Sequence, residues 1–275
     1  MKKERVDVLC VEQGLFESRE KAKRAIMAGL IHNDQERLDK PGMKISRDTP
    51  LFIKGEKMRY VSRGGLKLEK AIDYFKLDIQ NQIMVDIGSS TGGFTDCALQ
   101  HGIKEVYAID VGTNQLDWKI RNDFRVHVFE QTNFRYVDSS LFQYGQPEFA
   151  TIDVSFISLK HIFPPLSSVL KPNGYIVALI KPQFEAGREE VGKHGLIHDK
   201  AIHNKVIKQV INYANNNHMA LKNLTYSPIT GGSGNIEFLG LFENDSDLTH
   251  DIDIEMIVDE AHQHYEVESK VYEKL

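Results

Sequence analysis

The sequence predicts an α/β protein in which a parallel β-sheet carries helices on both faces and is preceded by a small α+β module. Three observations support this fold class. Short apolar runs alternate with stretches long enough for crossover helices over residues 60–244. The stretch Ile83–Asp96 (IMVDIGSSTGGFTD) has the pattern of a buried strand, a glycine-containing turn and the start of a helix. Residues 1–59 show a different pattern, with two short helices and short strands.

Composition and charge bound the class of protein. The chain has 275 residues, 41% of them hydrophobic, which is ordinary for a globular protein and allows one medium domain with a small one. No apolar run approaches the ~20 residues that span a bilayer, and MKKERVDVLC lacks the apolar core of a signal peptide. Two cysteines, Cys10 and Cys97, suit a reducing compartment. We expect a cytoplasmic protein without a membrane partner.

The net charge of −5 hides an uneven distribution along the chain. Residues 1–59 carry 14 Lys and Arg against 10 Asp and Glu, and residues 60–240 carry 18 of each. Residues 241–275 carry 2 against 11. The N-terminal segment is therefore basic and the C-terminal segment acidic, so the total charge does not argue against a nucleic-acid partner.

The N-terminal module is predicted from its apolar spacing and caps. A helix over Arg5–Gln13 ends at Gly14, and Ser18 can cap a second helix over Arg19–Ala28. Short strands are predicted over Leu30–Asn33 and Leu51–Lys54. The second helix has a polar face that carries Arg19, Lys21, Lys23 and Arg24. A basic helix face is often only a solvated face, so this pattern alone leaves RNA binding and solvation both open.

The segment RVDVLCVEQGLFESREKAKRAIMAGLIHN resembles the S4 RNA-binding domain. The usual pattern continues with Val-Asn-Gly, where this chain has His32–Gln35, so a different turn is expected there. The matched positions are Arg5, Asp7, Leu9, Gly14, Leu15, Ser18, Arg19, Ala22, Ile26, Gly29 and Asn33. The resemblance implies that the module binds folded RNA, with Arg5 and the four basic residues of the second helix as contacts.

The second domain is predicted to begin after a short linker, Lys54–Arg59, and to contain a helix over Leu66–Phe75. Its predicted strands are Met84–Ile87, Val106–Asp110, Val126–Glu130, Ala150–Val154 and Tyr175–Ile180. A helix follows from His198 to about Asn216, and SPITGGSGNIEFLGLF then supplies a turn and a strand of an antiparallel hairpin. The acidic segment 245–275 is expected to contain a helix over Ile254–Val267 that packs on residues 60–244.

The strand ends mark a binding edge, because ligands of open α/β sheets lie at the carboxyl ends of the strands. The glycines are not spaced as GxGxxG, and no Lys-Ser/Thr follows them as in a P-loop. D-x-G-x-x-x-G-G resembles motif I of S-adenosylmethionine-dependent methyltransferases, although a purely structural turn also collects glycines. The residues predicted to line the methionine side are Asp86, Gly88, Ser89, Ser90, Gly92, Gly93 and Phe94.

Two further positions are predicted on the adenosine side of such a ligand. Asp110 ends the next strand, where a carboxylate can accept hydrogen bonds from ribose hydroxyls. Gln131 and Asn133 lie near the position expected to recognise adenine. For Asn133, a side chain that only forms a turn is an equally good interpretation.

The second domain resembles the TlyA family, which is named historically for haemolysins and is related to the FtsJ-type 2′-O-ribose RNA methyltransferases. The matching segments are YVSRGGLKL, VDIGSSTGGFTD, YAIDVG, FEQTNFR, TIDVSFISL, ALIKPQFEAGR and SPITGGSGNIEFL. The resemblance implies a Rossmann-like sheet, S-adenosylmethionine as cofactor and a cytidine of ribosomal RNA as substrate. Because Arg5 stands almost at the start, we expect the type that acts on 23S rRNA, with 16S rRNA as the alternative.

The resemblance also implies a catalytic set of Lys67, Asp153, Lys181 and Glu237. Asp153 and Lys181 each follow an apolar strand, so both are expected at the same edge of the sheet. Burial and a second cation are expected to lower the pKa of a lysine that carboxylates would otherwise raise, so that Lys181 can accept the hydroxyl proton. Phe156, Pro182 and Phe184 flank this site and either stack on a base or form its wall.

Two alternatives to a methyltransferase remain from the sequence. A pore-forming haemolysin is one, although no spanning segment or strongly amphipathic basic helix supports it. An RNA-binding module without catalysis is the other. No metal is expected, because His194 and His198 lie in a loop without a matched third ligand. Arg59 and Arg63 adjoin Lys67, and we expect them to contact RNA and couple RNA binding to cofactor binding. The sequence gives no oligomeric state.

Overall fold

The computed structural model describes residues 3–16, 18–27, 29–33, 36–53, 59–232 and 234–274, with side chains to residue 266. The chain divides into two compact units. One contains residues 1–58, 232–234 and 260–275, and the other contains residues 59–231 and 235–259.

The N-terminal unit is a small α+β fold. Its helices are α1 (Val6–Glu12) and α2 (Arg19–Met27), and its strands are β1 (Lys3–Arg5), β2 (Ile31–His32), β3 (Arg37–Leu38), β4 (Lys44–Ser46) and β5 (Phe52–Ile53). Strand β1 pairs with β4, and β2 pairs with both β3 and β5, all antiparallel. The two helices bury Val6, Leu9, Ala22 and Ile26 in one apolar core.

The N-terminal unit differs from the sequence prediction in the start of its first helix and in the number of its strands. The first helix begins at Val6 rather than Arg5, because Lys3–Arg5 pairs with Lys44–Ser46 as a strand. Strands of two or three residues carry no usable alternation, which is why β1, β3 and β4 were not predicted. The predicted ends at Ala28 and Lys54, and the linker as far as residue 58, lie outside the described residues.

The second unit is built on a mixed seven-stranded sheet. Its strands are β6 (Ile83–Ile87), β7 (Glu105–Ile109), β8 (Val126–Phe129), β9 (Phe149–Ile152), β10 (Tyr175–Ile180), β11 (Met219–Tyr226) and β12 (Phe238–Asn244). The strand order is β11-β12-β10-β9-β6-β7-β8. The five strands β10, β9, β6, β7 and β8 are mutually parallel, and β12 and β11 add an antiparallel hairpin at one edge. The predicted fold class is confirmed, including the hairpin.

Helices cover both faces of this sheet. The helices of this unit are α3 (Gly64–Phe75), α4 (Gly93–Gln100), α5 (Trp118–Arg121), α6 (Phe163–Val169), α7 (Pro182–Glu185) and α8 (Lys200–Asn215). A last helix, α9 (Ile254–Lys274), begins in this unit, and its residues from 260 onward belong to the other unit. Leu68 and Ala98 of α3 and α4 share a core with Val177 and Leu239. On the opposite side of β12, Phe242 contacts Phe163 of α6 and Phe238 contacts His203 of α8. Alternate residues of one strand thus serve the two layers, as the period of a strand requires.

Glycines let the first turns of α3 and α4 approach closely. A Cβ on Gly93 would lie 2.2 Å from Ser62 Oγ and 2.8 Å from Gly65 N, and a Cβ on Gly65 would lie 2.4 Å from the Tyr60 ring. No side chain larger than hydrogen fits at these contacts. The close approach brings Lys67 of α3 to the carboxyl edge of the sheet.

Candidate active site

A cavity of about 420 Å³ opens at the carboxyl ends of β6, β7 and β9. It is the edge at which the sequence predicted a ligand. Its lining residues are Ile87, Gly88, Ser90, Ile109, Asp110, Val111, Gln115, Thr132, Asn133, Phe134, Asp153, Val154, Ser155, Phe156, Ile157 and Ile162. Polar groups therefore stand at a few points of a mainly apolar wall, which is the usual composition of a small-molecule site.

The turn after β6 requires glycine at position 88. Gly88 has a positive φ of 84°, and a Cβ there would lie 2.5 Å from the carbonyl oxygen of Asp153. Asp110 closes the other side of the turn: its carboxylate accepts hydrogen bonds from the backbone N–H of Ser90 at 2.8 Å and of Gly112 at 2.7 Å. Each carboxylate oxygen has a second lone pair, so Asp110 can still accept hydrogen bonds from a ligand in the cavity.

Asp86 lies behind the cavity wall. Its buried carboxylate accepts hydrogen bonds from Thr95 Oγ1 at 2.6 Å and Thr151 Oγ1 at 2.9 Å. Burial raises the pKa of Asp86 to about 6, although the two hydroxyls lower it in part. The side chain joins the first turn of α4 to β9, so its place in this geometry is to support the glycine turn rather than to face the cavity.

The predicted cofactor residues divide into two groups. Gly88, Ser90, Asp110 and Asn133 line the cavity, whereas Asp86, Ser89, Gly92, Gly93 and Phe94 are not among its described lining residues. The N-terminal turn of α4 is buried in helix packing instead. Asn133 meets both interpretations of its role, because it lines the cavity while its Oδ1 accepts from the backbone N–H of Arg135 at 3.1 Å.

The four residues of the expected catalytic set lie in one continuous chain of ion pairs. Lys67 Nζ lies 2.8 Å from Glu237 Oε2 and 3.7 Å from Asp153 Oδ2. Lys181 Nζ lies 2.6 Å from Asp153 Oδ1. Lys67, Lys181 and Glu237 are buried, and Asp153 borders the cavity. The set and the cavity therefore meet at Asp153.

The electrostatics of this chain differ in part from the sequence expectation. Burial acts to lower the pKa of Lys67, but Asp153 and Glu237 outweigh it, and the pKa of Lys67 lies above its ordinary value. Burial also acts to raise the pKa of Asp153, but Lys67 and Lys181 hold it below its usual range. Two carboxylates therefore keep Lys67 protonated, and the role of Lys181 as proton acceptor stays a prediction.

Two residues near this set were not among the site residues predicted from the sequence. Lys181 Nζ donates a hydrogen bond to Ser155 Oγ at 3.0 Å, and Ser155 lines the cavity. Glu185 is buried, and its oxygens accept from Ser158 Oγ at 2.6 Å and from the Leu159 N–H at 2.7 Å. The proximity of Ser155 to Asp153 along the chain was the one available signal for Ser155. The contacts of Glu185 span 26 and 27 residues and have no local pattern.

Phe156 has an unusual conformation at the rim of the cavity. Its φ is +61° and 91% of the residue is exposed, although it is a large aromatic side chain. Such a backbone conformation in a residue other than glycine costs on the order of 1–3 kcal/mol and persists where surrounding contacts impose it. Its ring lies 5.0 Å from that of Phe184, measured between centroids.

Two of the basic residues predicted to bind RNA hold the N-terminal unit together. Asp7 is fully buried, and its carboxylate accepts from Arg5 Nε at 2.8 Å and from Arg19 Nη2 at 2.9 Å. Burial acts to raise the pKa of Asp7, but the two guanidinium groups lower it to about 2. Arg24 is exposed on α2. Arg5 and Arg19 thus each form an ion pair with a buried acid, and their contact with RNA stays a prediction.

The remaining basic candidates have diverse surroundings. Lys21 is exposed, and Lys23 pairs with Glu20 at 2.8 Å one turn earlier on α2. Arg59 forms an ion pair with Glu69 of α3. Arg63 is half-buried and precedes α3.

Within the described residues, no three His, Cys, Asp or Glu side chains are arranged to hold a metal ion. In the same part of the chain, no helix is both long and apolar enough to cross a membrane.

Comparison with known families agrees with this geometry. The FtsJ-like methyltransferase family matches residues 60–243, and the S4 domain matches residues 4–49. The chain belongs to the FtsJ-like methyltransferase family and carries an N-terminal S4 domain. It is therefore an enzyme of the methyltransferase class, and this assignment confirms the prediction of S-adenosylmethionine as its cofactor.

Individual relatives cover nearly the whole chain. "Putative rRNA methyltransferase YqxC" of Bacillus subtilis is 57% identical over 95% of this chain and 95% of its own length. "16S/23S rRNA (cytidine-2'-O)-methyltransferase TlyA" of Mycobacterium tuberculosis is 37% identical over 85% of this chain and 87% of its own. A solved structure described as "Putative hemolysin from Streptococcus thermophilus" is 53% identical, with a TM-score of 0.81 and coverage of 98% and 99%.

Proposed function

We propose that this protein transfers a methyl group from S-adenosylmethionine to a ribose 2′-hydroxyl of ribosomal RNA, at a cytidine. The observation that carries the proposal is the ion-pair chain Glu237–Lys67–Asp153–Lys181, whose central acid borders the cavity. The domains divide the work: residues 1–59 dock the RNA, residues 60–244 carry out the transfer, and the acidic segment 245–275 supports the second domain.

The cavity fits the cofactor in size and in the chemistry of its lining. Its volume of about 420 Å³ lies in the range of ligand sites. Asp110 would accept hydrogen bonds from the ribose hydroxyls, Asn133 would face the adenine, and Gly88 leaves room for the main chain to approach the methionine part. Val111, Phe134 and Ile162 provide apolar walls. When bound, the cofactor supplies an electrophilic methyl group on a sulfonium.

The two lysines have different tasks in this proposal. Lys181 donates to Asp153 Oδ1 and Ser155 Oγ, which fixes the direction of its third tetrahedral position. In its neutral form that position is a lone pair, which would accept the proton that the 2′-hydroxyl loses on methylation. The carbon–sulfur bond of the methyl donor would break in the same step, and the donor would leave as a neutral thioether. Lys67 stays protonated between Glu237 and Asp153 and stabilises negative charge developing on the oxygen.

Orientation contributes as much as proton transfer. Asp153 holds both lysines, so the nucleophile site and the cofactor cavity have a fixed mutual position. The exposed ring of Phe156, with Phe184 beside it, is placed to stack on a base that has left its helix. Single-stranded or unstacked RNA is therefore the form that we expect at the site.

The substrate is proposed from the names of two relatives. The Mycobacterium tuberculosis relative is named for 16S and 23S rRNA, and a Campylobacter jejuni relative, 33% identical, is named for 23S rRNA. We favour 23S rRNA, with 16S rRNA as the alternative, in the cytoplasm where ribosomes are found. The name hemolysin is also attached to relatives of this chain, and a cytolytic activity is the competing proposal.

The test is methyl transfer from labelled S-adenosylmethionine to isolated 30S subunits, 50S subunits and 70S ribosomes. We expect label in one cytidine of 23S rRNA, with the following phosphodiester bond resistant to alkali because its 2′-oxygen is methylated. Label only in 16S rRNA would favour the alternative substrate. Binding to ribosomal RNA without label would indicate a silent binding module, and lysis of erythrocytes without either would favour the haemolysin.

A further inference from the structure

Two chain segments meet beside the cavity, and each carries one residue of the ion-pair chain. Residues 153–159 follow β9, and residues 181–185 follow β10. The two strands are parallel neighbours, so both segments leave the sheet at the same edge. Five successive residues of the first segment, from Asp153 to Ile157, line the cavity. The position of this segment therefore sets both the cavity wall and the acid between the two lysines.

The segments are joined at three successive levels. At the first level, Lys181 Nζ contacts Asp153 Oδ1 and Ser155 Oγ. At the second, the rings of Phe184 and Phe156 lie 5.0 Å apart. At the third level, Glu185 Oε2 accepts from Ser158 Oγ at 2.6 Å and Glu185 Oε1 accepts from the Leu159 N–H at 2.7 Å. The two segments thus run side by side, and the contacts of Glu185 are the last of the three, farthest from the sheet edge.

Placing the carboxylate of Glu185 at this buried position costs free energy. Its side chain is buried, and burial raises its pKa to about 7, which the two hydrogen bonds oppose only in part. An apolar side chain would fill the same space without desolvating a carboxylate. Within the described residues, Glu185 is not part of the cavity lining. Its value to the fold therefore lies in the two hydrogen bonds that it accepts.

The segment that Glu185 holds needs external support. Residues 153–158 have no regular secondary structure, and Phe156 has a left-handed backbone conformation with its ring exposed. A strained conformation persists only when neighbouring contacts impose it. Gly88 packs against the main chain of Asp153 at one end, and Glu185 binds Ser158 and Leu159 at the other.

We propose that Glu185 is a positioning residue for methyl transfer, holding residues 153–159 against Lys181 through its hydrogen bonds to Ser158 and Leu159. It acts on the reaction through Asp153, Ser155 and Phe156 and does not contact the substrate. This inference rests on the proposed function. Loss of the contact leaves the catalytic groups present and lets the segment that carries them shift.

The experiment compares Glu185→Ala and Glu185→Gln with the control Glu148→Ala. Glu148 precedes β9 at its opposite end, where it also accepts from a backbone N–H, that of Ile83 at 3.2 Å, and pairs with Lys171 at 2.8 Å. The measurements are the single-turnover rate of methyl transfer to ribosomal subunits, the Kd for the cofactor, the Kd for RNA, and the Tm.

We expect Glu185→Ala to slow transfer by at least about tenfold, because a displacement of about 1 Å at a catalytic group can cost 10²-fold. Its RNA affinity should stay within about twofold, because the hydrogen bonds of Glu185 go to Ser158 and Leu159 and involve none of the basic residues predicted to bind RNA. Glu185→Gln should recover most of the rate, since the amide oxygen accepts from Leu159 and the amide N–H₂ donates to Ser158. Glu148→Ala should lower the Tm and leave the rate unchanged.

Ser158→Ala provides a second route if Glu185→Ala does not fold. It removes one of the two donors, so Ser158→Ala alone should slow transfer, though by less than Glu185→Ala, and a folded Ser158→Ala that transfers at the wild-type rate would overturn the inference. Where Glu185→Ala folds, the double variant should be no slower than Glu185→Ala alone. The inference is overturned if folded Glu185→Ala transfers at the wild-type rate, if Glu185→Gln is as slow as Glu185→Ala, or if Glu148→Ala is equally slow. An inactive wild type would instead refute the proposed function, and this inference with it.

Discussion

The carboxylate of Asp153 lies 2.6 Å from the ammonium group of Lys181 and borders the cavity at the same time. Its second oxygen lies 3.7 Å from Lys67 Nζ. Asp153 therefore holds the ammonium groups of Lys67 and Lys181 beside the cavity in which a methyl donor would bind. This arrangement makes the position of the hydroxyl nucleophile, rather than the strength of a single base, the main quantity that the protein controls.

Glu237 determines whether Lys67 can remain charged in its buried position. In Glu237→Ala, Lys67 keeps only the Asp153 contact at 3.7 Å, and an incompletely paired buried ammonium remains. We expect the free energy of unfolding to fall by about 3–5 kcal/mol, and less for Glu237→Gln, which can still accept one hydrogen bond. Urea unfolding measures the change. Glu243→Gln, which alters the ion pair between Glu243 of β12 and Lys222 of β11, is the control. An unchanged midpoint in Glu237→Ala would contradict this assignment.

Asp110 is expected to control cofactor affinity. Its removal leaves the N–H groups of Ser90 and Gly112 without their acceptor and deletes the acceptor for the ribose hydroxyls. Hydrogen bonds to a charged group contribute about 1.5–3 kcal/mol, so the Kd of Asp110→Ala for S-adenosylmethionine should rise by about 10- to 100-fold. Calorimetric titration measures it. Asp123→Ala, which breaks an ion pair with Arg125 before β8, should bind normally. Equal affinities of Asp110→Ala and wild type would exclude Asp110 from the site.

Asp86 gives a pH dependence of stability with a defined sign. Its pKa rises from an ordinary value of 3.8 to about 6 on folding, so the folded state binds the proton more tightly than the unfolded state. Its contribution to stability is complete below about pH 4 and is lost as the pH rises through about 6. Asp86→Asn lacks this loss and can still hydrogen-bond both threonines.

The stability of Asp86→Asn relative to wild type should therefore increase by up to about 3 kcal/mol between about pH 4 and pH 7. Chemical unfolding of both proteins across this range measures the difference. A constant difference would show that the carboxyl is not perturbed by burial.

Arg19 and Arg24 lie on the same helix, but we expect substitution of Arg19 to lower stability and substitution of Arg24 to weaken RNA binding. Arg19 pairs with the buried Asp7, so Arg19→Ala should lower the Tm of the N-terminal unit. Arg24 is exposed, so Arg24→Ala should weaken RNA binding and reduce the salt dependence of log K by about one phosphate contact. Titration of rRNA fragments at several salt concentrations, beside thermal unfolding, separates the two effects. The prediction would be contradicted if Arg19→Ala weakened RNA binding at an unchanged Tm while Arg24→Ala lowered the Tm.

Much of the fold follows from local patterns in the sequence. The strands at Met84, Val106 and Tyr175 are apolar runs bounded by turn residues, and the ends of parallel strands converge by geometry alone. Asp153 and Lys181 were placed at one edge on that ground, and the structure brings them to 2.6 Å. Lys67 and Glu237 lie 170 residues apart, and only the family resemblance linked them.

Other features depend on contacts that no local pattern encodes. Gly93 lies in the predicted ligand turn, and it also admits the close approach of Ser62 and Gly65, which its local sequence does not encode. The ion pair between Arg19 and the buried Asp7 likewise joins two residues that no local pattern links. The raised pKa of Lys67 depends on two carboxylates from distant parts of the chain.

The most direct measurement is the single-turnover rate of methyl transfer to ribosomal subunits by wild type, Lys181→Ala and Lys171→Ala. Lys171 also forms an ion pair, with Glu148 at the opposite end of β9, and serves as the matched control. We predict that Lys181→Ala slows transfer by about 10²- to 10⁴-fold while cofactor and RNA still bind, and that Lys171→Ala transfers normally. A Lys181→Ala protein that transfers methyl groups at the wild-type rate would contradict the role of the ion-pair chain in catalysis.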